Sequence, residues 1–496
     1  MVDVRITKQD EVYLRIDCDL EILYELEPAF TFEVPGAKFS PKFKMKIWDG
    51  KIRLLSIYKR QLYVGLHDAL CKKISDLGYS FESNVEDVDN QITPEKLFNY
   101  VQDLKLHTQG KVLDFRDYQY DAIHTALKYK RQTILSPTAS GKSAIIYTIT
   151  RWLLEDDMKV LIIVPTTQLV YQMIGDFKDY SHYNGWDADK NCHVIMAGKD
   201  KISTKNVCIS TWQSLQKDRV SSDWVNQFGC IIVDECHQAK ATEIGKLLEK
   251  ATSVKYRLGF TGSLDNSKTN KFVIQGLFGP ITKVITTREL IDAGHLSDIY
   301  IKCLVLKYNK DSASLVKHMD YQKEIEFLVS HEKRNRFITN LAVSLKGNTL
   351  ILYTLVEKHG DVLYNLLKEK VGDRELCYVH GGVDAEERDE VRRIMETSND
   401  AITLASAGTF SQGVNIRRLH NIIFASPTKS VVRVLQSLGR GLRKASDKDL
   451  VNVYDISDMI HKSKTKQNYT YTHLIERLRI YTDQQFNYKI IEVQIE

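Results

Sequence analysis

From residue 111 onward, short apolar runs alternate with stretches whose apolar residues recur every three or four positions. The runs read "TILS", "VLIIVP", "VCIS", "CIIVDE" and "LGFTG", then "TLILYT", "LCYVHG", "AITLAS", "NIIFAS" and "VNVYDI". A strand that is apolar on consecutive positions is buried on both faces. Strands of that kind separated by helices build parallel sheets. Ten of them suit two doubly wound α/β domains, one over 111–300 and one over 301–496. In such sheets ligands bind beyond the C-terminal strand ends.

The pattern before residue 111 is different. "FKMKIWDGKIRLL" alternates apolar and basic residues about Asp49-Gly50. Asp-Gly between alternating runs predicts a hairpin, burying Phe43, Met45 and Ile47 and showing Lys42, Lys44 and Lys46 on the other face. "YVGLHDALCKKISDLGY" reads as a helix ending at Gly78. A small α+β domain over 1–85 is therefore expected, followed over 86–110 by a polar linker holding one helix.

Composition adds bounds. The 496 residues are 43% hydrophobic and 27% charged, with no 18-residue apolar stretch, so a globular chain without a membrane span is expected. The charged start "MVDVRITKQDEVYLRIDCDLE" does not read as a signal peptide. Eight cysteines include no C-x-x-C pair and fall mostly in apolar runs. They read as reduced core thiols of a cytoplasmic protein. Net charge is only +5, but its distribution matters. Residues 1–35 carry nine acids and three bases, whereas 38–60 carry eight Lys/Arg and one acid.

Three elements carry chemistry. After strand "TILS" comes "PTASGKS", then a helical pattern. Backbone N–H groups of such a loop cradle phosphates. Lys142 would reach the β/γ-phosphates of ATP, and the Ser143 hydroxyl would ligate Mg²⁺. Ser136 stands where the usual first Gly of this loop would be. In "IIVDECHQ", Asp234 and Glu235 end a buried strand. One carboxylate there can hold Mg²⁺ and the next can activate water. In "VLQSLGRGLRK", Gln436, Arg440 and Arg443 share one helical face. Two arginines aimed together suit a γ-phosphate. The first two elements lie in one sheet domain and the third in the other, so ATP is expected between the domains, where its hydrolysis can open and close a cleft.

These motifs resemble the superfamily-two helicases of the DExH type over roughly 111–460. The resemblance implies two RecA-like domains. "FRDYQYDAI" looks like the adenine-reading motif, with Arg116 and Gln119. "SPTASGKS" is similar to the family's A-P-T-G-S-G-K-T, which places Thr138, Ala139, Ser140 and Gly141 on the nucleotide and makes the missing first Gly normal. "VPTTQLVYQ" and "STWQSL" look like strand-contacting motifs, with Pro165, Thr166, Gln168, Thr211 and Trp212. "FTGS" gives Thr261 and Ser263 where the family has its coupling triplet. "VHGGV" and "SAGTFSQGVNI" resemble the second domain's nucleic-acid and coupling motifs, with His380, Gly381, Ser406 and Thr409 toward nucleic acid and Gly413 toward nucleotide.

Within that superfamily the chain is similar to the recombination helicases of T-even phages, which have "FSTGI" for "FSQGV", a similar "DECH", and "EKFNY" for "QQFNY". That resemblance implies an ATP-dependent helicase and branch-migration enzyme of phage replication, recombination and repair. Its substrates would be R-loops, stalled forks and Holliday junctions, with 3′-to-5′ polarity. Partners implied are branched, single-stranded and duplex DNA, RNA–DNA hybrids, and a single-stranded-DNA-binding protein. The compartment would be the host-cell cytoplasm.

Lys42, Lys44, Lys46, Lys51 and Arg53 lie beside Phe39, Phe43, Trp48 and Tyr58 and could track a phosphate backbone with aromatic support. The bland reading is a solvated face balancing the acidic first 35 residues. The C-terminal "HLIERLRIYTDQQFNY" reads as an amphipathic helix packed on the second domain. Competing functions are a metabolic P-loop ATPase, a passive annealing module with a relic motor, and the translocating subunit of a restriction-type enzyme. The first has no use for Gln436, Arg440 and Arg443 in a second sheet domain. The second sits badly with intact Lys142, Asp234 and Glu235. For the third, no separate domain with an obvious nuclease carboxylate cluster is visible.

Overall fold

Alternating burial sets the first sheet. Val4 and Ile6 of Val4–Lys8, and Leu14 and Ile16 of Tyr13–Cys18, point inward from an antiparallel pair. Gln61–Tyr63 and Phe81–Ser83 complete four strands. Leu23 and Leu26 of helix Leu20–Leu26, and Leu70 and Ile74 of helix His67–Asp76, close the core of this lobe. The computed structural model describes residues 2–495 apart from 35, 86–87, 138, 197–203, 217–219, 238–241, 263, 265–267, 412–417, 427–449 and 462–466. The chain divides into two units, residues 1–285 and 286–496.

The hairpin expected about Asp49-Gly50 is corrected. Lys51–Arg53 pairs antiparallel with Thr31–Glu33, not with residues 43–47. Pro41 starts a single helical turn, Pro41–Lys44. The Ile47 and Trp48 amides both donate to the Lys42 carbonyl, at 3.0 and 3.3 Å, and Lys46 turns left-handed at φ 57°. Helical start chemistry at Pro41 therefore wins over the alternation. The acidic strand is also the better partner, since Glu33 faces Lys51 and Glu27 ion-pairs with Arg53. Phe43, Met45 and Ile47 are consequently not buried: Met45 and Ile47 are each 68% exposed.

The rest of the first unit is a seven-stranded parallel sheet. Its order is Cys192–Ile195, Val207–Thr211, Val160–Val164, Cys230–Asp234, Tyr256–Thr261, Arg131–Leu135, Ile281–Lys283. Strand Val160–Val164 is buried along its whole length, as a centre strand covered on both faces must be. Helix Pro94–Asp103, capped by Thr93, buries Leu97 and Val101 in the same core.

The N-terminal lobe is bolted to this sheet domain through helix Lys268–Phe278. Phe32 packs on Phe272 with ring centroids 4.7 Å apart, and Thr269 donates to the Glu33 carbonyl at 2.8 Å. Tyr63 donates to Glu249 at 2.6 Å, and Arg131 ion-pairs with Glu11. The buried Arg257 guanidinium donates to the Leu248, Ala251, Leu277 and Glu11 carbonyls. Gly65 lies so close that an added Cβ would sit 2.0 Å from the Gln275 carbonyl oxygen.

The second unit is another seven-stranded parallel sheet, ordered Leu376–Val379, Ile402–Ser406, Thr349–Tyr353, Asn421–Phe424, Leu450–Met459, Asp298–Lys307, Asn487–Gln494. Buried pairs Arg334–Asp458 and Arg477–Asp455, both at 2.8 Å, tie helices Glu332–Ser344 and Tyr469–Asp483 to strand Leu450–Met459. The C-terminal helix ends at Asp483, and Asn487–Gln494 adds an edge strand that the helical reading of "QQFNY" did not foresee. Both sheet domains are thus the parallel α/β sheets expected. No helix among the described residues is long and apolar enough to cross a membrane.

Because Gly65 meets backbone rather than a movable side chain, Gly65→Ala should destabilise the first unit by about 1–3 kcal/mol through overpacking. Urea denaturation checks this; a wild-type midpoint would mean that the lobe can shift off helix Lys268–Phe278.

Candidate nucleotide and nucleic-acid site

Three neighbouring strands deliver the site. Cys230–Asp234, Tyr256–Thr261 and Arg131–Leu135 lie side by side, with Asp234 opposite Phe260 and Thr261 opposite Leu135. The phosphate loop leaves the last of them. Gly141 takes φ 85° at the N-terminus of helix Lys142–Glu155, and a Cβ there would sit 2.2 Å from the Gln119 amide nitrogen. Only glycine fits. Ala139 is also left-handed, at φ 67°, which is the physical reason for a glycine at this place in the resembling motif. Ser136 is fully buried, its amide donating to the Thr261 carbonyl at 2.9 Å and its hydroxyl meeting that of Ser140. The backbone at 136 thus ties the loop to the neighbouring strand, and the serine hydroxyl braces the loop internally.

Gln119 braces the loop from outside. Its amide donates to the Ser140 carbonyl at 2.9 Å and accepts from the Arg116 amide at 2.9 Å, forming a capping box for helix Asp117–Tyr129. Tyr118, absent from the sequence-derived set, donates to the same Ser140 carbonyl at 3.0 Å and accepts from the Arg116 guanidinium.

The charged centre is compact. The Lys142 Nζ lies 2.9 Å from Glu235 Oε1 and 3.4 Å from Asp234 Oδ1. Burial opposes the Lys142 charge, yet Asp234 and Glu235 outweigh it and hold the ammonium above its usual range. Burial likewise opposes the Glu235 carboxylate, but Lys142 and His237 outweigh that and keep Glu235 ionised well below the ordinary carboxylate range. Asp234 is pushed up, by burial first. Two adjacent carboxylates thus acquire different acidities, which suits different tasks.

His237 completes the cluster. Its Nδ1 lies 2.9 Å from Thr261 Oγ1 and 3.2 Å from Glu235 Oε2, and Thr261 donates to Glu235 at 3.2 Å. Glu235 itself is left-handed at φ 53°, a strained conformation that aims its carboxylate back at Lys142. Sequence reasoning set the Asp-Glu-x-His spacing apart but gave His237 no role. It also passed over Tyr180, whose phenol lies 2.8 Å from the Ser143 hydroxyl. Only the fold brings Tyr180 there.

The expected strand-contacting residues gather at the next two strand ends. The Pro165 carbonyl accepts from Gln213 at 3.4 Å, joining the turn after Val160–Val164 to that after Val207–Thr211. Thr166 caps helix Thr167–Ser181, and Gln168 in its first turn is exposed. Thr211 is buried and caps the Trp212 turn, leaving Trp212 half-buried. In the second unit, His380 and Gly381 follow strand Leu376–Val379, with Gly381 exposed. Ser406 and Thr409 are buried and bond each other at 2.7 Å. Lys42, Lys44, Lys46 and Lys51 are exposed, whereas Arg53 is held by Asp49 and Glu27. Thr138, Ser263, Gly413, Gln436, Arg440 and Arg443 lie outside the described residues.

Comparison with known proteins agrees along the chain. The N-terminal domain of the DNA helicase UvsW matches residues 3–84. The res subunit of type III restriction enzymes matches 112–266, and the helicase conserved C-terminal domain matches 332–445. The ATP-dependent DNA helicase UvsW of Enterobacteria phage T4 is 32% identical over 512 residues, covering 100% of both chains. The crystal structure of T4 UvsW superposes with a TM-score of 0.52 at 30% identity, again covering 100% of both. A DNA 3′-5′ translocase, XPB2 of Sulfurisphaera tokodaii, is 24% identical over 78% of this chain and 89% of its own.

Glu235→Gln should lower ATP turnover by about 10²–10⁴-fold, the usual worth of a positioned base, with DNA affinity unchanged. Lys142→Ala should act in the same direction, and His237→Ala less, because Lys142 still holds Glu235. Near-normal turnover in either of the first two variants, measured by phosphate release, would refute the site.

Proposed function

The chain belongs to the UvsW helicase family and is an ATP-dependent DNA helicase, and we propose that it unwinds or branch-migrates R-loops, stalled forks and Holliday junctions. The observation that carries this substrate class is the exposed lysine turn at 42–46, mounted rigidly on the ATP-binding unit. A motor that only tracks one strand has no need of a second basic grip. A branched substrate offers another arm for it to hold.

In the ATP step, the loop 136–141 and the first amides of helix Lys142–Glu155 receive the phosphates. Lys142 then exchanges its carboxylate partners for β/γ-phosphate oxygens, which leaves Glu235 to orient and activate water. His237 and Thr261 hold Glu235 in place meanwhile. Arg116 and Gln119 stand toward the adenine. Gln436, Arg440 and Arg443 are proposed to serve the γ-phosphate, with arginine charge opposing the charge developing there.

The oxygen donors Ser143 and Asp234 suit a hard cation such as Mg²⁺, which neutralises phosphate charge when bound. No cluster of three or more His, Cys, Asp or Glu able to hold a metal occurs among the described residues. Nucleic-acid contacts proposed beyond the lysine turn are Pro165, Thr166, Gln168, Trp212, His380 and Gly381.

An unwinding panel of forks, Holliday junctions, R-loops and plain duplexes tests the substrate class; equal rates on all would sink it. Replacing Lys42, Lys44 and Lys46 by Ala should weaken fork binding and flatten the slope of log K against log salt by up to about three units, at about 0.9 per phosphate contact. ATPase on saturating single strands should hold. Arg440→Ala and Arg443→Ala should lower turnover by about 10³–10⁵-fold with little change in ATP affinity.

A further inference from the structure

The segment between strands Thr31–Glu33 and Lys51–Arg53 is folded into a cup. A hollow of about 850 Å³ opens there, lined by the apolar Phe43, Ile47 and Trp48 and the cations Lys38, Lys44 and Lys46. That volume lies in the range of cavities that take small ligands, roughly 300–1,000 Å³. The walls are fixed. The Trp48 indole N–H donates to the Lys51 carbonyl at 2.8 Å, which orients the ring along this wall. Gly50, at φ +80°, lies so close under Phe43 that a Cβ there would come within 3.0 Å of its ring. The Val34 amide donates to the Gly50 carbonyl at 2.8 Å and closes the base of the cup.

We propose that this cup seats one unpaired nucleotide at the branch point of the DNA. The inference rests on the reading that the N-terminal lobe grips nucleic acid, and it assigns the apolar residues that reading leaves without a task. Lysines alone would serve a phosphate backbone. They do not explain why Phe39, Met45 and Ile47 are held 68–70% exposed beside them. Such apolar surface in water is unfavourable unless a partner covers it. The partner must be anionic, because the one acid in the lining, Asp49, is already spent on Arg53. It must also present an aromatic face. A base inside a duplex offers only its edges, because its faces are stacked on its neighbours. An unpaired base offers a face, which Trp48 or Phe43 can stack upon. Lys38, Lys44 and Lys46 then take the flanking phosphates.

The test uses the full-length protein and two forks that differ at one unpaired position beside the branch, one with a base and one abasic. Stacking of one base is worth about 1–3 kcal/mol, so wild-type protein should bind the abasic fork about tenfold more weakly. Trp48→Leu should lose about the same factor on the intact fork and no longer distinguish the two, with its salt slope unchanged. Trp48→Phe keeps a ring and should keep most of the discrimination. Ile47→Ser, at an exposed position, should reduce discrimination without risk to folding. Equal binding of the two forks by wild type overturns the seat and depends on no variant folding. So does unchanged discrimination by a folded Trp48→Leu. The two readings fail separately. If replacing Lys42, Lys44 and Lys46 leaves fork affinity and salt slope untouched, the nucleic-acid grip itself is wrong. If that variant binds weakly while wild type ignores the abasic change, only the seat is wrong.

Discussion

A largely buried ammonium cannot stand without a counter-charge, and the ATP-binding unit is arranged around that requirement. Lys142 reaches a point where two carboxylates converge, at 2.9 and 3.4 Å. To bring them there, the chain places a strand end beside a strand end beside a loop. It also accepts a left-handed glutamate. An incoming polyphosphate therefore competes for a partner that is already occupied. In the proposed ATP step, the phosphate that gains Lys142 releases Glu235 from this pair.

How the sequence encodes this is uneven, for physical reasons. All ten apolar runs are strands; nine are inner strands, which are covered on both faces and so apolar along most of their length, and Leu376–Val379 is an edge. In the two seven-stranded sheets, the four strands not foreseen are Cys192–Ile195, Ile281–Lys283, Asp298–Lys307 and Asn487–Gln494. Three are sheet edges and one lies next to an edge. Edges face water on one side, and their burial alternates or fades, as in Asp298–Lys307 and Asn487–Gln494. The signal there is weak by construction. At 42–53 the alternation was genuine but misleading, since a single proline and one left-handed lysine turned it into a helical cap.

The site shows the same division. Residues held by local spacing, such as Lys142, Asp234 and Glu235, were legible. Residues that arrive from another element were not. Tyr180 comes from the far end of a 15-residue helix, and Tyr118 matters only because Ser140 lies beneath it. In the second unit, Arg334 and Arg477, which the sequence reading did not single out, are buried against aspartates of one strand. A buried ion pair adds little net stability, because desolvation offsets most of its attraction. Nothing local in the sequence announces which charges will be paired inside.

Gly65 has a consequence of its own. With main chain against main chain at that junction, the N-terminal lobe has no swivel. It shares a frame of reference with the phosphate loop and cannot lag behind or run ahead of it. A dye at Tyr58, which is 96% exposed on that lobe, would therefore report the position of the ATP-binding unit itself. The lobe serves as a built-in pointer for following that unit along DNA, one molecule at a time.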